Sequence, residues 1–397
     1  MGRGISLDGR PSKREMGRNW IAWAAALLAL AAAFLVVPRR LCQTGAEAFF
    51  GGDRARVGAF GANVDRHVRE LEPARFSTGS RRFDGEWFFG TAMMAALGFG
   101  QTAREHPELA TESLARMDRA LDAVLSAPAR TFDAEAWRAD PLDSLDSEDG
   151  HAAYLGYANL ALSLRRFVEP EQRFATLNDR ISQSLERRLE AAPSLSIETY
   201  PGEIYPVDNA AAVASLALRA RALGEEPPAV VQRWLDLLPV RFVDPDSGLL
   251  YQALDPNRAP ADAPRGSGTA LGAYFLSFAD EGASLALHRA LRRELAGSVA
   301  GFGVVREYLP GTSWRAGDID SGPLIFGWSI SAMGFALSGC RAHADRAGFV
   351  ELYRAFHLFG APVERGSELT FASGGPLGNA IVFAMLTAQP AARWRRG

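Results

Sequence analysis

The chain has 397 residues, 48% of them hydrophobic and 22% charged, with a net charge of −3. That is enough apolar material for one large core. The interspersion of Arg with Asp and Glu excludes the concentrated basic face that holds nucleic acid, so no nucleic-acid partner is expected.

The first element is N-terminal. Residues 20–37 form an unbroken apolar run, close to the roughly 20 residues that span a bilayer. Arg3, Arg10, Lys13, Arg14 and Arg18 precede it and favour a cytoplasmic N-terminus, while Arg39 and Arg40 follow it. A cleavable signal peptide is the rival reading, but 38–42 offers no small-x-small cleavage site. The expectation is a single-pass signal anchor in the plasma or inner membrane, with the rest of the chain extracytoplasmic. The chain then divides into a cytoplasmic segment at 1–19, an anchor at 20–38, a linker at 39–60 and one helical domain at 61–390.

Beyond the linker, amphipathic and uniformly apolar helices alternate. An outer helix is expected over 62–71, with Val64, Val68 and Leu71 at helical spacing. The inner helix that follows Asp84-Gly85 is apolar nearly all round through Met93, Met94, Leu97 and Phe99, as a helix packed on every side must be. Further outer helices are read at 111–125, 171–191, 227–238, 280–295 and 345–359. Further inner ones are read at 150–167, 208–223, 268–278, 322–338 and 377–387. A turn leading into a short strand or hairpin is expected at 244–251, and a loop crossing the polar end of the domain at 254–268.

Each inner helix opens on a short acidic or glycine-rich turn, marked by Asp84, Asp149, Asp208, Ser267, Asp320 and Gly374. The markers recur at roughly 53 to 65 residues, a two-helix period repeated six times. The expected fold is all-α, an (α/α)6 toroid of about twelve helices preceded by one transmembrane helix. All six openings then gather at one end, and the candidate residues lie there.

In 200–209 (Tyr-Pro-Gly-Glu-Ile-Tyr-Pro-Val-Asp-Asn), two prolines and a glycine fix the approach to a helix. Asp208 sits in its first turn, where the helix dipole favours a carboxylate. Asp208 alone reads equally as a helix cap, but Glu203, Tyr205 and Asn209 beside it suggest a wall that recognises hydroxyl groups. Asp149, His151, Tyr154 and Tyr157 form a second set, in which His and Tyr three apart share a helix face and could exchange protons. Asp84, Glu86 and Trp87 place an aromatic beside carboxylates, as a sugar-stacking subsite would. Trp314, Asp318 and Asp320 repeat that combination. Glu203, Asp208, Asp84, Asp149 and His151 are the catalytic candidates. Glu86, Trp87, Tyr154, Tyr157, Tyr205, Asn209, Trp314, Asp318 and Asp320 are the substrate-binding ones. Paired-His, Cys-cluster, phosphate-loop and Gly-x-Ser-x-Gly motifs are all missing from the sequence, so neither metal nor cofactor is expected. The two cysteines, Cys42 and Cys340, are expected to be buried thiols.

Asp140-Pro-Leu, Tyr154-Leu-Gly-Tyr-Ala-Asn-Leu160, Asp208-Asn209, Trp234-Leu-Asp, Asp244-Pro, Gly248 and Tyr251 occur in an order that resembles linalool dehydratase–isomerase and its relatives. The resemblance is clearest across 84–255, and it implies an α/α barrel and the place of its pocket. The family's two cysteines fall on Tyr205 and Ala214, and its helix histidine on Tyr157, so terpene-alcohol dehydration is not carried over. The functional expectation is cofactor-independent carboxylate acid/base chemistry on a hydroxylated substrate, as a glycan hydrolase or lyase or a dehydratase/isomerase. The alternative is a non-catalytic envelope protein that binds a glycan or a partner.

Overall fold

The computed structural model describes residues 13–312, 317–318 and 321–394. Helix α1 (Lys13–Cys42) leads into the short α2 (Ala46–Phe50) and α3 (Arg54–Arg69). Next come α4 (Arg81–Glu105), α5 (Ala110–Val124), α6 (Ala127–Trp137), α7 (Ala152–Val168), α8 (Ala175–Ala191), α9 (Pro206–Leu223) and α10 (Ala229–Leu237). The hairpin of β1 (Tyr251–Leu254) and β2 (Pro260–Pro264) precedes α11 (Gly266–Leu276) and α12 (Glu281–Glu294). Two more hairpins follow, β3 (Ala296–Val299) with β4 (Phe302–Val305) and β5 (Leu324–Ile325) with β6 (Trp328–Ser329). The chain continues through α13 (Ile330–Ala342), α14 (Arg346–Gly360), the hairpin of β7 (Pro362–Arg365) and β8 (Glu368–Phe371), and α15 (Gly375–Leu386).

Helices α4, α7, α9, α11, α13 and α15 form the inner ring. Each touches the next, and α15 returns to α4. Helices α5, α8, α10, α12 and α14 form the outer layer, which α3 completes beside α15 and α4. The protein is therefore an (α/α)6 toroid, with every expected inner and outer helix present. Small residues set the inner spacing: a Cβ on Gly156 of α7 would lie 3.1 Å from the Asp208 carbonyl of α9.

The closing seam joins distant parts of the sequence. Gln101 Nε2 donates to the Ala384 carbonyl at 2.9 Å and to Thr387 Oγ1 at 3.0 Å, and Gln389 Nε2 donates to the Gln101 carbonyl at 2.7 Å. Phe383 packs edge-on against Phe60 and Phe99. At the end where the inner helices finish, the fully buried Trp394 lies against Phe278 and Phe167, and Tyr274 donates to Gln101 Oε1 at 3.3 Å. That end is stoppered, and the N-terminal end of the inner ring is the mouth.

Several expectations are corrected. The stretch 39–60, read as a linker, is helical over most of its length, with Phe49, Val57 and Phe60 fully buried. The 254–268 loop is largely the β1–β2 hairpin. Helix α13 begins at Ile330 rather than near 322, because 324–329 pairs as a hairpin and Ser329 Oγ accepts from the Ala332 N–H. Helix α6 and the hairpins β3–β4 and β7–β8 were not anticipated. Helix α1 exposes Trp20, Trp23, Leu27 and Leu28 and is long and apolar enough to cross a membrane, as a signal sequence also is. Cys42 and Cys340 are buried and unpaired.

His288 of α12 is enclosed at the stoppered end, where a Cβ on Gly339 would lie 2.6 Å from its Nδ1. Burial, then the neighbouring His343, push its pKa down to about 4. Below pH 6.5 the unfolded chain takes up a proton that the folded protein refuses, so stability falls with pH down to about 4. His288→Gln is expected to flatten that slope by about 3 kcal/mol, read from urea unfolding between pH 7 and pH 4.

Candidate active site at the barrel mouth

Tyr200-Pro-Gly-Glu203 turns with Gly202 at φ 78°, and the Glu203 N–H donates to the Tyr200 carbonyl at 2.8 Å. Pro at the second position and Gly at the third are what a type II turn requires. The Leu254 N–H donates to the Ile204 carbonyl, which pins this loop to β1. Pro206 then occupies the start of α9, where its missing N–H costs nothing.

Asp208 lies in the first turn of α9 and is 7% exposed. Tyr157 Oη donates to its Oδ1 at 2.5 Å and Thr199 Oγ1 to its Oδ2 at 2.7 Å. Two helices and a loop therefore orient one carboxylate. On the loop that leads into α9, exposed Glu203 accepts from Tyr205 Oη at 2.8 Å.

Beside this group, Glu86 of α4 accepts from Tyr200 Oη at 2.5 Å and from Arg82 Nε at 3.3 Å, and the Arg82 guanidinium lies 3.5 Å from the Tyr200 ring centroid. Burial, then the Glu86 carboxylate, push the Tyr200 phenol well above its ordinary pKa, so it remains a hydroxyl donor. Half-buried Trp87 sets its edge against Phe76. A wall of aromatic faces, carboxylates and a guanidinium suits a ligand with many hydroxyl groups.

On the α11 side, Arg265 bridges Asp318 and Asp262. Burial would raise the Asp318 carboxyl, but the Ser321 N–H and the Arg265 guanidinium outweigh it and hold it below the usual range. Glu307 is fully buried and accepts from Ser267 Oγ at 2.5 Å, with its pKa raised by burial. It braces the start of α11 from within.

The remaining expected residues are engaged in packing and loop-bracing contacts. His151 is fully buried, with Nδ1 2.5 Å from Asp133 Oδ2 and Trp137 against its ring. Tyr154 is enclosed and donates to the Val124 carbonyl. Asn209 braces the backbone of Ile197 through both ends of its amide. Asp84 accepts from the Thr78 N–H, and Asp149 from Ser147 Oγ. These contacts tie His151, Tyr154 and Asn209 to packing and make Asp84 and Asp149 shapers of the mouth loops. His151 precedes α7 as its cap, with φ 54°, so helical spacing does not carry over from it to Tyr154 and Tyr157. Trp314 and Asp320 lie outside the described residues. Sequence reasoning missed Arg82, Thr199 and Tyr200, which lie two to four residues from Asp84 or Glu203.

Among the described residues, one group has metal-ligating side chains. His288, Cys340 and Asp345 place ligand atoms within 4.8 Å of one another near the stoppered end. Asp345 is already committed, accepting from the Gly348 N–H at 2.9 Å and facing Arg292 Nε at 3.1 Å.

The chain matches no protein-family model and no curated protein. Among solved structures it is similar to a glycoside hydrolase of family 105 from C. acetobutylicum, with TM-score 0.51 and 12% identity over 74% of this chain and 92% of that one. A GH76 alpha-mannanase from Bacteroides thetaiotaomicron aligns over 75% of this chain and 84% of its own, at 8% identity and TM-score 0.42. At such identities the first likeness shows the fold alone, and the second is too low to carry an argument. The linalool dehydratase–isomerase family is not shown.

Proposed function

We propose that the chain is a membrane-anchored, extracytoplasmic enzyme that acts on a glycan by carboxylate acid/base chemistry at the toroid mouth. The supporting observation is Asp208, a carboxylate at a helix N-terminus whose two oxygens are oriented by separate hydroxyls, on a rim carrying Glu203, Glu86 and Trp87. Asp208 takes up a proton and Glu203 supplies one. Tyr157 and Thr199 position Asp208, while Glu86, Trp87, Arg82, Tyr200 and Tyr205 hold sugar hydroxyls and ring faces. The toroid shared with a glycoside hydrolase supports a glycan over a prenyl alcohol. The anchor at 20–38 is part of the same reading, with α1 in the membrane and the toroid outside.

The test is turnover of a glycan panel and a prenyl-alcohol panel by the full-length chain, with Asp208→Asn and Glu203→Gln as controls. New reducing ends report a hydrolase, and an absorbing C=C bond formed with them reports a lyase. Glycan binding without turnover, unchanged in both variants, would instead establish the non-catalytic alternative. Glu86→Gln is expected to raise KM by about tenfold with a smaller change in kcat, because one charged hydrogen-bond acceptor for Arg82 and Tyr200 is lost.

A further inference from the structure

The end of α1 runs antiparallel to α14. Arg346 pairs with Glu47 at 2.6 Å, Arg354 Nη2 donates to Gln43 Oε1 at 2.6 Å, and Val36, Arg39 and Arg40 meet Arg354 further along. Between the two helices lies a cavity of about 380 Å³ lined by Val36, Arg39, Arg40, Gln43 and Arg354. It holds three guanidinium groups and no carboxylate. Among the described residues neither Arg39 nor Arg40 forms an ion pair. Arg354 Nη1 donates to the Gly301 carbonyl at 2.9 Å, whereas its Nε is buried and unpartnered. Burial, then Arg39, lower the Arg354 pKa, with only Glu351 opposing them. The β3–β4 turn is shaped for this cluster: a Cβ on Gly301, at φ 80°, would lie 2.5 Å from Arg39 Nε.

Three like charges gathered around one cavity call for an anion, and position identifies which. The apolar run ends at Val37, two residues before Arg39, so with 20–37 in the hydrocarbon the arginines stand at headgroup depth. Val36 adds an apolar wall beside them, and Val299, next to the Gly301 turn, is exposed. We infer that the cavity between α1 and α14 binds the phosphate of an anionic lipid headgroup. This rests on α1 lying in a bilayer and not on the chemistry assigned to the mouth. Running on past the C-terminal end of α14, α1 leaves the toroid on the side where the inner helices begin, and exposed Leu358, Phe359 and Phe326 lie at that end. A lipid gripped there turns the mouth toward the bilayer, which brings membrane-held substrates within reach.

The test titrates the full-length chain in nonionic micelles with phosphatidylglycerol, phosphatidylcholine or inorganic phosphate, following thermal unfolding. Phosphatidylglycerol is expected to raise the midpoint saturably, while the other two have no effect at equal concentration. Arg39→Gln/Arg40→Gln, which leaves the Arg354 bonds to Gly301 and Gln43 intact, is expected to raise half-saturation about thirtyfold, the factor for removing two basic side chains at an anionic surface. Arg354→Gln serves as an independent second variant with the same expected direction. No response to phosphatidylglycerol, an equal response to inorganic phosphate, or an unchanged response in the double variant would each overturn the assignment.

Discussion

Asp208→Asn is expected to lower turnover by about 10²–10⁴-fold, the usual contribution of a positioned acid/base group. The amide keeps the size of the carboxylate and one acceptor for Tyr157 or Thr199, so the thermal midpoint should stay close to that of the parent. Tyr157→Phe separates positioning from proton transfer. It removes the 2.5 Å hydroxyl donor to Oδ1 but leaves Thr199 on Oδ2. Its loss should appear in kcat and be smaller than that of the amide variant. Full activity in Asp208→Asn, on any substrate the panels reveal, would remove Asp208 from the chemistry.

Phe383→Ala is expected to cost about 3–5 kcal/mol, the range for truncating an enclosed aromatic. Phe383 is fully buried and packs on Phe60 and Phe99, across the seam where α15 meets α3 and α4. A loss of that size is a large share of the roughly 5–15 kcal/mol that holds a typical domain folded. Urea unfolding measures it directly. A cost below about 1 kcal/mol would mean that the seam contributes little to stability. Gly98→Ala probes the same seam from the other side, since its new Cβ would lie 2.4 Å from the Phe383 ring. Overpacking should destabilise it by about 1–3 kcal/mol.

The twelve toroid helices could be read from sequence because the two layers solve different burial problems. An inner helix such as α9 is enclosed on every side and carries Ala, Val and Leu around its circumference, whereas the apolar residues that α8 buries, Ile181, Leu185 and Leu189, lie along one stripe. The hairpins were harder, since strands of two to five residues give too short an alternation to register. Ala300-Gly301 and Phe326-Gly327 do take the paired positive φ of hairpin turns, but Ala and Phe are not the residues that advertise one. At the mouth, Asp208, Glu203, Tyr205 and Glu86 could be singled out because they crowd near helix starts. Glu307 could not, since its partner Ser267 is 40 residues away and nothing local to Val-Val-Arg-Glu-Tyr announces a buried carboxyl. His151 misled because sequence spacing gives the distance around a helix but not which neighbour waits there. Asp133, on the unanticipated α6, was that neighbour.

The seam between α15 and α4 also bears on how the molecule is made. The outer neighbour of α15 is α3, drawn from near the other end of the chain, so no hairpin built from adjacent segments can complete the circle. Until residues 375–394 emerge from the ribosome, the nascent crescent bares the flanks of α4 and α13, and its floor lacks Trp394. Such an intermediate offers an apolar edge to other chains and calls for chaperone cover until the ring closes. Loss of a few C-terminal residues would then be felt first as poor yield of folded protein.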